Sequence, residues 1–232
     1  MTCMIPITEF SGTLVEKKML TEDVMFLSFS VPERFTFSAG QYIIIKIENQ
    51  GVLRLKSYSI LNPPSQKGKI ELCVKIIPQG FASEIFQSAV VGQQFQFRGP
   101  FGHFSFDESA KDHWFICAGT GITPLYSMIM ENVDKYSQVS FTLLFGVRWE
   151  KNLFLHDELQ KLQQKHQNFT FIPVLSREIW DGKRGRVQQF LPEYLQEKTF
   201  YICGLRELVL ETKELLLSKG VQPERIRMER YT

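Results

Sequence analysis

Cysteine is scarce and poorly spaced for metal chemistry. Only four occur, Cys3, Cys73, Cys117 and Cys203, and no two of them form a CxxC pair. That spacing argues against zinc, against a thioredoxin-type dithiol and against an iron–sulfur cluster held by this chain. Cys73 and Cys117 stand inside apolar runs, as small core residues do. A disulfide framework is not expected, in keeping with a reducing compartment. An excess of charge is also missing. The formal net charge is +2, and no segment carries the basic stripe of a nucleic-acid binder. No apolar run approaches the ~20 residues that a membrane helix needs. The opening stretch MTCMIPITEF has neither a basic region nor a long apolar core, so no secretory leader is expected. These absences lead to the expectation of a soluble, cytoplasmic protein without metal, nucleic acid or membrane span.

What is present divides into two parts. Hydrophobic residues make up 44% and charged residues 22% of 232, a globular composition long enough for two ordinary domains. Up to about residue 106 the pattern is short strands: Phe10–Lys18, Val24–Ser30, Tyr42–Ile47, Ser57–Leu61, Ile70–Ile77 and Gln94–Arg98, with one short helix at Phe81–Ala89. Turn signals lie between them, among them Asn49-Gln50-Gly51 and Asn62 to Gly68. Strands at this spacing predict an antiparallel β-barrel, closed or nearly so. After a polar joint, apolar runs alternate with helical stretches. Trp114–Ala118, Phe141–Val147, Phe169–Leu175 and Thr199–Cys203 read as strands. Leu125–Asn132, Leu153–His166 and Glu207–Lys219 read as helices, and Arg225–Tyr231 as a last strand. That alternation predicts an α/β doubly wound parallel sheet. The division is placed at 1–107 and 108–232.

Several stretches carry chemistry. KSYSILNPP, residues 56 to 64, ends a strand with a cation, an aromatic ring and a hydroxyl side by side: Lys56, Ser57, Tyr58 and Ser59. Two prolines then stop the strand. AGTGITPL, residues 118 to 125, is a strand, a glycine turn and a helix with Pro124 at its first position. Gly119, Thr120, Gly121, Thr123 and Pro124 could seat a pyrophosphate on free backbone N–H groups, or could be no more than a tight turn with a helix cap. Gly80, Phe81, Ala82 and Ser83 open the short helix of the first half. They offer a second phosphate seat or an ordinary helix start. Ser176 and Arg177 end one strand of the second half, and Arg184 and Arg186 follow in a glycine-punctuated loop. A hydroxyl beside guanidinium groups suits a phosphate monoester. Cys203-Gly204 ends another strand, where glycine lets a ligand approach the backbone.

The order of these pieces resembles the ferredoxin–NADP reductase family over nearly the whole chain. The family's R-x-Y-S is present as KSYS, its glycine–serine phosphate turn as GFAS and its G-P-x-G-x-F loop as GPFGHF. Its G-T-G-I-x-P turn is present as GTGITP, followed by Ser176-Arg177, Cys203-Gly204 and the ending ERYT. The resemblance implies FAD in the barrel half, NADPH or NADH in the second half, and transfer of electrons to a separate acceptor protein, with ferredoxin or flavodoxin as the first expectation. It implies that Tyr58 lies against the flavin ring, Ser59 near its reactive nitrogen and Lys56 on the diphosphate. It also implies that Cys203 and Glu229 stand near the nicotinamide and that Tyr231 covers the flavin. The expected catalytic residues are therefore Ser59, Cys203 and Glu229.

Three departures stand out. Lys56 replaces the family's arginine, C-G-P-P is here C-G-L-R, and Arg186 stands where many relatives carry an aromatic residue. With Arg177 and Arg184, the last of these leans toward NADPH. Two rival readings remain beside the reductase: an enzyme that reduces free flavins, favoured by the weaker cation Lys56, and a non-catalytic electron-transfer or regulatory subunit.

Overall fold

A computed structural model describes residues 5–231, so Cys3 and Thr232 lie outside the described residues. The first half contains β1 (Thr8–Met19), β2 (Val24–Ser30), β3 (Tyr42–Asn49), β4 (Val52–Ser59), β5 (Lys69–Lys75), α1 (Phe81–Ser88) and β6 (Gln94–Phe101). The strands pair antiparallel in the order β4-β3-β6-β1-β2-β5. Alternate residues point inward, and Leu14, Leu27, Phe29, Ile43, Ile45, Leu72 and Phe97 fill the interior. The result is a half-barrel whose two edges are β4 and β5. After β4 the chain stays beside the start of β3 through Ile60 N–H to Gln41 O at 3.0 Å and reaches across the gap to β5 through Leu61 N–H to Glu71 O at 2.8 Å.

The fourth strand differs from its expected bounds of Ser57–Leu61. It begins at Val52, directly after β3, through a two-residue turn in which Gln50 and Gly51 both have positive φ (50° and 77°). Such a turn matches the twist of a hairpin. β4 is an edge strand and mostly exposed, so no buried face imposes alternation on VLRLK.

The second half contains β7 (Asp112–Ala118), α2 (Ile122–Asn132), β8 (Ser140–Val147), α3 (His156–Lys165), β9 (Phe169–Leu175), β10 (Lys183–Arg184), β11 (Lys198–Leu205), α4 (Arg206–Ser218) and β12 (Ile226–Tyr231). All neighbours are parallel, in the order β10-β9-β8-β7-β11-β12. The chain winds outward from β7 in one direction and then restarts on its other side at β11. The ends of β7 and β11 therefore form a topological switch point, where open parallel sheets bind ligands. α2 and α3 pack on one face and α4 on the other. The helix expected at Leu153–His166 starts only at His156, because Leu155 adopts a left-handed conformation with φ 58°. Pro124 is the third residue of α2, not the first. It is still within the first turn, where its missing N–H costs no helix bond.

The halves share a core. Val24, Phe26, Leu61, Cys73 and Phe104 of the first belong to one buried cluster with Leu125, Met128, Phe145 and Tyr201 of the second. Ser127 Oγ donates to the Asn62 carbonyl oxygen across this joint at 2.8 Å, fully buried. Among the described residues no helix is long and apolar enough to cross a membrane.

Candidate active site

β4 delivers its residues in alternation. Arg54, Lys56 and Tyr58 share one face, while Ser59, on the other, is buried. The Tyr58 ring is half-buried and meets Phe86 of α1 edge-on, with centroids 5.5 Å apart. Burial pushes its phenol well above the ordinary tyrosine range, so it stays neutral. α1 begins beside this strand. Gly80 is its N-terminal flanking residue, and the hydroxyl of Ser83 accepts the N–H of Ile77 at 2.9 Å. Ser83 thus braces the turn that aims the first amides of α1 at the cleft. At the other end Lys17 Nζ donates to the carbonyls of Phe86 (3.3 Å), Gln87 (2.9 Å) and Ala89 (2.6 Å). A cation there complements the helix dipole and fixes the helix in place.

Across the cleft, β7 ends at Ala118 and a single 3₁₀ turn, Gly119–Gly121, leads into α2. Gly119 has φ 54°, and open space lies where its Cβ would project. A side chain on Gly121 would run into the carbonyl of Cys203. The turn is therefore pressed onto the end of β11 and keeps a bare backbone toward the cleft. Thr123 Oγ1 donates to Thr120 O at 2.7 Å and closes the turn from within.

β12 brings the last two functional candidates. Ser59 Oγ donates to Glu229 Oε1 at 3.1 Å and lies 3.0 Å from the Tyr231 hydroxyl. That hydroxyl is also 3.4 Å from the Thr120 carbonyl oxygen. Residues 59, 120, 229 and 231 thus meet where the two halves touch. Burial raises the Glu229 carboxyl above the usual range, with the Ser59 bond opposing it. Burial likewise pushes the Cys203 thiol well up, so it rests as a neutral thiol.

One cleft of about 1250 Å³ connects these groups. Its lining includes Lys56, Ser57, Tyr58, Ser59, Gly80 to Ser83, Gly119, Thr120, Thr123, Ser176, Arg186, Glu229 and Tyr231. Six of the sequence candidates stand off it. Gly121, Pro124, Cys203 and Gly204 are buried behind the lining, and Arg177 and Arg184 are exposed beside it. Ser176 N–H donates to Val147 O at 3.0 Å and Arg177 N–H to Arg148 O at 3.0 Å, which docks the end of β9 beside β8. The cleft also holds residues not singled out in the sequence: Arg54, Gln188 and Glu211. The guanidinium of Arg54 lies over the Phe81 ring, 4.4 Å from its centroid. Its position two residues before Lys56 on a strand was the available signal. His113 lies away from the cleft, buried among Phe106, Phe141 and Tyr201, with Nδ1 3.1 Å from the Tyr201 hydroxyl.

The donor set fits a dinucleotide of the flavin type. Two cations and the free amides of α1 converge at one end, an aromatic ring and a buried hydroxyl lie in the middle, and a bare glycine turn stands opposite. Comparison with known proteins agrees in both halves. The family model for an oxidoreductase FAD-binding domain matches residues 11–106, and that for an oxidoreductase NAD-binding domain matches residues 115–214. Ferredoxin–NADP reductase B of Sorangium cellulosum is 30% identical, over 98% of this chain and 100% of its own length. The xylene/toluene monooxygenase electron transfer component XylA of Pseudomonas putida is 29% identical, over 98% of this chain and 67% of its own. For the phenol 2-monooxygenase reductase component DmpP the chain spans 66% of the relative's length. Among solved structures, the Amycolatopsis cytochrome P450 reductase GcoB superposes with a TM-score of 0.91 at 24% identity, covering 98% of this chain and 71% of that one. A ferredoxin NADP+ reductase from Neisseria gonorrhoeae with bound FAD and NADP gives 0.84 at 23% identity, covering 97% and 98%.

Proposed function

The chain belongs to the ferredoxin–NADP reductase family of NAD(P)H-dependent flavoprotein oxidoreductases, and on that premise we propose that it hands electrons from a nicotinamide nucleotide to a separate, cytoplasmic acceptor protein. Bound FAD supplies the chemistry, accepting a hydride and releasing electrons one at a time. The protein's own residues hold, orient and shield. The free amides of Phe81 to Ser83 and the cations of Lys56 and Arg54 bind the flavin diphosphate. Tyr58 presents a neutral ring face. Gly119, Thr120 and Thr123 seat the diphosphate of the nucleotide at the switch point, and Ser176 with Arg186 receives the adenosine end. Gly121, Pro124 and Gly204 act through backbone fit, since each is buried behind the lining. Ser59 supplies a hydroxyl donor at the reacting atoms. Glu229, whose carboxyl burial raises above its usual range, and the neutral Cys203 thiol behind the lining keep water from the same spot. Tyr231 fills the space over Ser59 and gives way when the nicotinamide enters. The boundary between the flavin half, 1–107, and the nucleotide half, 108–232, falls at the joint before β7.

The observation that carries this reading is the meeting of Ser59 with Glu229 and Tyr231. A barrel hydroxyl and two residues of the last strand of the other half converge within 3.1 Å at the floor of one cleft. A small iron–sulfur protein or a flavodoxin suits the acceptor, which takes electrons one at a time. The test is direct. The protein is expected to leave gel filtration yellow, and its colour to bleach anaerobically on adding NADPH or NADH. A colourless protein that turns over only with free flavin would replace this reading with a free-flavin reductase. In the same assay Ser59→Ala is expected to keep its flavin and bleach about 10- to 100-fold more slowly in stopped flow. Unchanged bleaching would remove Ser59 from the reacting centre.

A further inference from the structure

NADH and NADPH differ only at the adenosine 2′ position, a hydroxyl in one and a phosphate in the other. Arg186 stands on the cleft wall beyond Ser176, with Nη1 2.8 Å from Glu211 Oε2 on α4. Gln188 Nε2 reaches the same oxygen at 3.5 Å. The remaining amide atom of Gln188, Oε1, is buried without a partner, an open acceptor for a ribose hydroxyl or an adenine amino group. All three side chains line the cleft, whereas Arg177 and Arg184 do not. The one guanidinium of this loop that faces the cleft is therefore already held by a carboxylate.

We propose that Glu211 is a specificity-determining residue that holds down use of the 2′-phosphorylated nucleotide. The inference rests on the reductase reading above. A 2′-phosphate carries about −1.5 to −2 charges near neutral pH and needs a free cation. Glu211 occupies that cation and adds a negative charge beside it. A 2′-hydroxyl is neutral and meets no such repulsion. The pair is exposed, so the discrimination it gives is several-fold, the scale of an exposed ion pair.

The experiment compares kcat/KM for NADPH and NADH in the full chain, with ferricyanide as acceptor. It also measures the Kd of adenosine 2′,5′-bisphosphate and of adenosine 5′-monophosphate by calorimetry. Glu211→Gln keeps helix propensity and size. It is expected to raise kcat/KM for NADPH about fivefold while NADH stays within about twofold. The bisphosphate is expected to bind tighter by a similar factor and the monophosphate to bind unchanged. Adding Arg186→Ala to Glu211→Gln is expected to cancel the gain. Equal changes for both nucleotides, or no change for either, would overturn the proposal while leaving the reductase reading intact. Failure of every variant to oxidise either nucleotide or to bind either adenosine probe would overturn both.

Discussion

Lys56 stands where the family carries an arginine, and a lysine cannot grip a diphosphate with a planar fork. Arg54 offers what Lys56 lacks. It shares the strand face of Lys56, lines the same cleft, and holds its guanidinium over the ring of Phe81, the first residue of α1. Arg54→Ala is expected to raise the Kd for FAD about tenfold, or ~1.4 kcal/mol, while FMN affinity changes less. Titration of the flavin-free protein checks this, and equal losses for FAD and FMN would place Arg54 elsewhere than on the diphosphate. The sequence displays the motif residues Lys56, Tyr58 and Ser59 plainly, because they are contiguous. Arg54 stays hidden because its meaning depends on Phe81, 27 positions away. Glu211 is hidden for a similar reason. It is one acid among several on a charged helix until the fold sets it beside Arg186.

At the scale of elements, α1 shows how an eight-residue helix is made into a fixed support. Isolated helices of that length are marginal in water. This one is clamped at its C-terminal end by Lys17 from β1 and braced near its start by Ser83. Lys17→Met is expected to cost about 1 kcal/mol in chemical denaturation and to weaken flavin retention, although Lys17 touches no part of the cleft. Full stability with normal retention would show that barrel packing alone holds the helix. Legibility differs between elements for physical reasons. β2 reads off the sequence from Val24 to Ser30 because six of its seven residues are buried. The first residues of β4 lack a buried face to mark them. β10 is two charged residues long and has no pattern at all. The start of α3 is blurred by Leu153-Phe154-Leu155, an apolar run that looks helical and ends in a left-handed residue.

For the whole molecule, the buried joint governs stability. His113 sits inside the aromatic layer under the joint, fully buried, and desolvation lowers its pKa to about 4. The folded state keeps it neutral, while the unfolded chain takes up a proton near 6.5. Stability is therefore expected to fall as pH drops from about 6.5 to 4, by about 2–3 kcal/mol. The carboxyls held below their usual range, Asp107 and Glu131, add their losses at lower pH still. Melting temperatures across that window check the point, and His113→Gln, which does not titrate, should flatten the slope. An equally steep fall in the variant would assign the effect to other groups. A further consequence follows from the cluster in which Phe26 and Phe104 pack with Met128 and Tyr201. Chimaeras that splice one half of this chain to the other half of a distant cousin would juxtapose surfaces that never adapted to each other. Recombination, natural or engineered, should therefore pass the pair on intact, as a single cassette to which other modules are appended at the ends.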